Sequence, residues 1–152
     1  MKKTVSLVLV LCMIAVAVIG FGTAANAQTL SNTEKALALI NAFATGDADM
    51  ARSLLAEDYI QHNLAYGTGA DAFVGSVEYL ASADVKTTVN NIRAFEDGDK
   101  VFLQTVYNFA GAGEQVAFDI FRIDENGKIA EHWDVMETIA DEATWQNQNG
   151  KF

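Results

Sequence analysis

The chain has 152 residues, 10 Lys plus Arg against 20 Asp plus Glu, a single cysteine and no proline. That length suits one domain, and no Pro- or Ser-rich linker divides it. A formal charge of −10 removes the clustered cations a nucleic-acid binder needs, while 51% hydrophobic residues exclude disorder and allow a real core.

Residues 1–27 read as a secretory signal. Lys2 and Lys3 form a positive start, Leu7 to Ile19 is an unbroken apolar run, and Gly20 and Gly22 loosen the helix beyond it. Ala25-Asn26-Ala27 then supplies the small residues that a signal peptidase accepts. A membrane anchor would need about 20 apolar residues, more than this run provides. Leu11 precedes Cys12, which also argues against lipid modification, since a lipidated cysteine follows a small residue. Cleavage after Ala27 would leave residues 28–152 as one soluble, exported domain. The two lysines and the only cysteine would be lost, so the domain would be more acidic and would fold without disulfides.

Beyond the signal, Ser31-Asn32-Thr33-Glu34 has the form of a capping box. Ala36, Leu37, Leu39, Ile40 and Phe43 follow at helical spacing, and Gly46 is placed to stop that helix. Asp47 can cap a second short helix through Met50, Leu54 and Leu55. Tyr59 to Asn63 is β-rich and extended, and Gly67 and Gly69 form a loop. Phe73, Val77 and Leu80 make one stripe of a third helix over residues 70–82.

The period then changes to two. Strands are predicted over 87–95, 101–109, 115–123 and 128–136, separated by Asp97-Gly98-Asp99, Gly111-Ala112-Gly113 and Asn126-Gly127. Helices followed by an antiparallel meander predict an α+β fold, with one curved sheet wrapping the helices around a conical pocket. Phe43, Phe73, Phe102, Phe109 and Trp133 are expected in the core. The polar tail from Asp141 to Phe152 has no predicted element.

Strand alternation isolates the candidate chemistry. Ala117, Asp119, Phe121 and Ile123 share one face of their strand, so Asp119 sits among apolar neighbours. A carboxylate in that setting needs a partner, because desolvation disfavours its charge. His132 and Asp134 share a face with Ala130 and Met136 on the last strand. If Asp119 and His132 meet in one cavity, they suit proton transfer beside a carbonyl. The competing reading makes Asp119 a structural acid bonded to Arg122, a tyrosine or the backbone. Tyr59, Tyr66 and Tyr107 are possible phenol donors in a cavity. His132, Asp134 and His62 have metal-ligating chemistry but no diagnostic spacing. No nucleophile elbow, P-loop or dinucleotide motif is present.

Tyr59-Ile60-Gln61-His62-Asn63, Asp97-Gly98-Asp99, Phe118-Asp119-Ile120-Phe121-Arg122, Asn126-Gly127-Lys128-Ile129 and Glu131-His132-Trp133-Asp134-Val135 occur in order. Together they resemble the SnoaL-like proteins, relatives of a polyketide cyclase in the nuclear transport factor two-like superfamily. The resemblance is strongest to the branch described as predicted aldol-condensation enzymes. It implies an α+β cone with one deep pocket and a cofactor-free aldol, isomerase or lyase-type reaction on a small apolar carbonyl compound, without a metal. The alternatives are a binding module for a hydrophobic small molecule and a dimerising domain, since the open face of such sheets often pairs. Asp119 falls on the family's acid/base or oxyanion-donor position, with His132 and His62 positioning or protonating the substrate. Asn63, Gln104, Phe121, Asp134, Met136 and Tyr59 would line the pocket. Leu64 stands where many members have proline, and Gln104 where many have a histidine able to shuttle protons.

Overall fold

The computed structural model describes residues 30–152, so the expected signal at residues 1–27 lies outside the described residues. Among the described residues no helix is long and apolar enough to cross a membrane. Helix α1 spans Asn32–Thr45 and opens on the predicted capping box, with the Ser31 hydroxyl accepting from the Glu34 amide and Glu34 accepting from the Ser31 amide. Gly46 ends it at φ 74°, and its N–H donates to the Ala42 carbonyl. Asp47 accepts from the Met50 amide at 2.9 Å and starts α2, Ala48–Leu54. Leu55 therefore does not extend that helix. It is the first residue of β1, Leu55–Gln61, which begins earlier than the extended segment predicted at Tyr59.

Helix α3 covers Ala70–Ala81, and Phe73 and Val77 are buried on its predicted stripe. The meander follows as β2 (Thr88–Asp97), β3 (Lys100–Asn108), β4 (Gln115–Ile123) and β5 (Ile129–Thr138). The tail makes one short 3-10 turn, Glu142–Thr144, capped by Asp141. It ends with the Lys151 carbonyl accepting from Gln104 and the Lys151 ammonium on Glu137.

The sheet order is β1-β5-β4-β3-β2. Four strands pair antiparallel as predicted, but β1 joins β5 in parallel, with Gln61 opposite His132. The sheet is thus mixed rather than antiparallel throughout. It curves around the helices without closing, and register shifts in β1, β2 and β4 mark local irregularities of the kind that bend strands. The cone-like α+β architecture expected from the sequence is present.

Inward positions along β3 and β4, including Val101, Leu103, Ala117 and Phe121, are buried against Leu39, Ile40 and Val77. Phe43, Phe73 and Phe109 join them, with ring centroids 4.9 Å apart for Phe43–Phe73 and 5.6 Å for Phe43–Phe109. Phe102 and Trp133 do not belong to this core. Both lie on the outer face of the sheet, because alternation puts them out of phase with Leu103 and His132. Phe102 pairs with Phe95 and Ile120, and Ile120 with Trp133, so an apolar row crosses four strands on that face.

Gly46 packs its Cα against α3, where an added Cβ would stand 2.8 Å from Ala81 Cβ. Gly46→Ala combines this clash with a left-handed backbone and is expected to cost about 1–2 kcal/mol. A urea unfolding midpoint equal to the parent's would contradict that packing.

Candidate active site

A cavity of about 330 Å³ lies between the helices and the concave sheet face. Its walls are mainly apolar, with Phe43, Phe73, Phe109, Tyr66 and Tyr79 among them, and its polar end is formed by Gln61, Tyr107, Asp119, His132 and Asp134. This is the lower end of the size range of small-molecule sites, which are mainly apolar with a few convergent polar groups.

Register explains how the polar groups meet. Asp119 on β4 faces Asp134 directly across to β5, while Phe121 faces His132. His132 is therefore the diagonal neighbour of Asp119 on the same face, within side-chain reach. Its Nε2 lies 3.1 Å from Asp119 Oδ1, and the Tyr107 hydroxyl donates to Oδ2 at 2.9 Å. Asp119 is 3% exposed and His132 7%. The imidazole also stacks on Phe121 with centroids 4.5 Å apart, which holds the ring plane.

Neither Arg122 nor the backbone is the partner of Asp119. Arg122 is out of phase, on the outer face, where it forks onto Glu131. The structure brings Asp119 and His132 into one cavity, and it also gives Asp119 the tyrosine partner that the structural-acid reading named.

Gln61 completes the arrangement and was not singled out by sequence reasoning. Both of its amide atoms lie 3.1 Å from His132 Nδ1. Its Oε1 accepts from the Asn63 amide at 2.9 Å, and its Nε2 donates to the Tyr59 hydroxyl at 3.3 Å. Gln61 can thus meet Nδ1 whether that nitrogen is bare or protonated. The usable signal was alternation within Tyr59-Ile60-Gln61, which puts Gln61 on the buried face with Tyr59.

The other expected site residues divide. Phe121, Asp134 and Met136 line the cavity. Asn63 instead supports it, donating from Nδ2 to Asp134 Oδ1 at 2.7 Å. Tyr59 lies beneath the polar end, 2% exposed and edge-on to Phe73. His62 is not brought to the site. It follows Gln61 and so points to the outer face, where Nε2 donates to Glu131 at 2.9 Å and the ring stacks on Trp133. His62, then Arg122, hold the Glu131 carboxyl below its ordinary value. Gln104 is also absent from the cavity. It occupies an outward position of β3, accepting from Arg93 and donating to the Lys151 carbonyl.

The metal-ligating trio of His132, Asp134 and His62 is consequently not assembled. Asp119 takes the place of His62, and ligand atoms of Asp119, His132 and Asp134 all lie within 4.8 Å of one another. A metal there would have to displace the bond already made between Asp119 and His132.

Burial, then the Asp119 charge, pushes the Tyr107 phenol well above its ordinary value of 10.0. Burial, then Asp134 and Asp119, raises Tyr59 too. Both hydroxyls stay protonated donors at neutral pH. Unfolded phenols ionise near 10 and these folded ones do not, so their contribution to stability is complete below about pH 10 and is lost as pH rises further. The urea midpoint is expected to fall above that pH, less steeply in Tyr107→Phe. That variant also leaves Asp119 one donor short, at a cost near neutral pH of about 1.5–3 kcal/mol. An unchanged alkaline slope in Tyr107→Phe would contradict the assignment.

The SnoaL-like domain model matches residues 36–132, more than half of the chain and the same family to which the motifs pointed. No curated protein matches the chain in sequence. Among solved structures, an NTF2-like protein of unknown function from Cytophaga hutchinsonii is 18% identical, covering 71% of this chain and 91% of its own at a TM-score of 0.61. An LEH-like epoxide hydrolase of M. tuberculosis is 18% identical over 70% of this chain and 82% of its own, also at 0.61. IdmH, a proposed polyketide cyclase from Streptomyces antibioticus, is 20% identical over 71% of this chain and 93% of its own, at 0.57. At these identities the structural likenesses establish the fold.

Proposed function

The chain belongs to the SnoaL-like family, and from that premise we propose that it is an exported, cofactor-free proton-transfer enzyme acting on a small apolar carbonyl compound. The observation that carries this reading is the placement of Asp119, buried at the polar end of an aromatic cavity and held by two neutral-capable donors. A carboxylate has about four lone-pair sites. Tyr107 and His132 occupy one on each oxygen, which leaves Asp119 able to accept a proton from a ligand.

In the proposed step Asp119 removes a proton from the carbon next to the carbonyl; the C–H electron pair becomes a carbon–carbon double bond as the carbonyl π pair moves to oxygen, giving an enolate. His132 and Tyr107 line the same cavity, and as Asp119 takes up the proton its need for both donors falls, which frees one of them to turn to that oxygen. The enolate carbon then either attacks a second carbonyl carbon, closing an aldol bond whose alkoxide takes the proton back from Asp119, or is reprotonated by Asp119 at another carbon, giving an isomer. Burial of Asp119 and His132 strengthens each of these interactions. The competing reading is a binding module that uses the same cavity without turnover.

Native mass spectrometry of the protein from its own host would identify the bound compound. With that compound as substrate, Asp119→Asn is expected to lower turnover by about 10²–10⁴-fold while binding persists. Unchanged turnover would end the catalytic reading, and binding without conversion by the parent would favour the module.

Export and self-association are parts of the same proposal. Protein recovered from outside the cytoplasm should have an intact mass beginning at Gln28, and a mass retaining residues 1–27 would contradict cleavage. Phe95, Phe118 and Val135 are exposed on the outer sheet face beside Phe102, and a second copy covering them would form the expected homodimer. Light scattering reads the oligomer directly, and a monomer at micromolar concentration would contradict it.

A further inference from the structure

The charge balance of the cavity specifies its ligand further than the proton-transfer reading does. Asp119 and Asp134 are opposite each other on adjacent strands, and both line the cavity. Like charges directly opposite in a sheet repel, and the repulsion grows where water is excluded. The protein supplies little to offset it, for no lysine or arginine is among the lining residues. His132 is the single basic group there, and it is already bonded to Asp119. Two acidic side chains against one imidazole leave the lining richer in acid than in base.

That excess falls on Asp134. One of its oxygens accepts from Asn63, a neutral donor, and the other has no donor among the described residues. Half-buried Asp134 shares the cavity lining with Phe43, Phe73 and Phe109, and with Tyr66 and Tyr79, which are partly open to solvent. Aromatic rings attract cations through their quadrupole and repel anions. The walls and the floor therefore favour the same sign of charge. The field of the two carboxylates is also felt at Tyr59 and Tyr107, where it adds to burial in raising the phenols. The formal charge of −10 on the whole chain would steer a cation inward and an anion away.

We propose that the cavity takes an organic cation, a hydrophobic ammonium compound whose charged nitrogen sits between Asp134 and the aromatic walls. This rests on the reading of the cavity as the functional site and changes its substrate from a wholly apolar carbonyl compound to one whose apolar body also carries an ammonium group. Asp134 anchors the ammonium group, which leaves Asp119 for the proton. Carboxylate and phosphate ligands are excluded by the same charge. A bare metal ion on Asp119, His132 and Asp134 would have to displace the bond between Asp119 and His132, which an ammonium group on Asp134 leaves intact.

The test compares two probes of nearly identical shape, N,N,N-trimethylanilinium and tert-butylbenzene, by NMR titration of the purified protein at low salt. The cation is expected to bind at least tenfold more tightly, with shifts at Asp119, His132 and Asp134. Asp134→Asn should erase most of that preference while leaving affinity for tert-butylbenzene within about twofold. Equal or weaker binding of the cation to the parent protein overturns the proposal, and that comparison decides it even if the variant does not fold. Zinc or magnesium binding at these three residues, with no preference for the organic cation, overturns it as well. Neither result bears on the Asp119→Asn turnover test, so the two proposals fail separately.

Discussion

Asp119 is taken out of water at the end of an apolar cavity without a permanent cation beside it, and much of the structure around it serves to make that tenable. Tyr107 comes from β3, His132 from β5, and the Gln61 that backs His132 comes from β1. Four of the five strands thus converge on one carboxylate. Burying a charge with unmet hydrogen bonds costs several kcal/mol, so these contacts must be formed for the fold to persist. The parallel addition of β1 follows the same logic, because it is the pairing of Gln61 with His132 that brings the amide under the imidazole.

The helices contribute the other half of the environment. They supply Phe43 and Phe73, which with Phe109 line the cavity, and at its polar end Asp119 and His132 are withdrawn from water. In that setting a hydrogen bond or ion pair is worth more than it would be in water. A carboxylate with spare lone pairs, two donors at 2.9 and 3.1 Å, and an aromatic enclosure constitute the equipment of a proton-transfer site. The outer face is chemically separate. His62, Trp133, Glu131 and Arg122 form their own cluster there, divided from the cavity by the thickness of the sheet.

Much of this was legible in the residues. Caps at Ser31 and Asp47, the stop at Gly46 and the turn signals between strands are local codes, and each was realised. Strand alternation placed Asp119, His132, Asp134, Phe121 and Met136 on the cavity face. What was not legible was non-local. The partner of β1 is β5, far along the chain and joined by no hairpin, so neither its parallel direction nor the contact of Gln61 with His132 had a sequence signal. Alternation from Tyr59 would have turned His62 outward, but the motif drew attention to the imidazole rather than to its phase. Gln104 was misplaced for the same reason, one position out of step with Leu103 and Thr105. The contact between Gln104 and Lys151 likewise depends on a tail with no periodicity.

The central claim is that Asp119 is a carboxylate held by donors, ready to take a proton. Nitrogen-15 NMR of the imidazole rings tests this most directly, and only two histidines need assigning, with His62→Gln removing one set of signals. A proton is expected on Nε2 of His132 at neutral pH, directed at Asp119. A bare Nε2, with Asp119 as the proton donor, would contradict it.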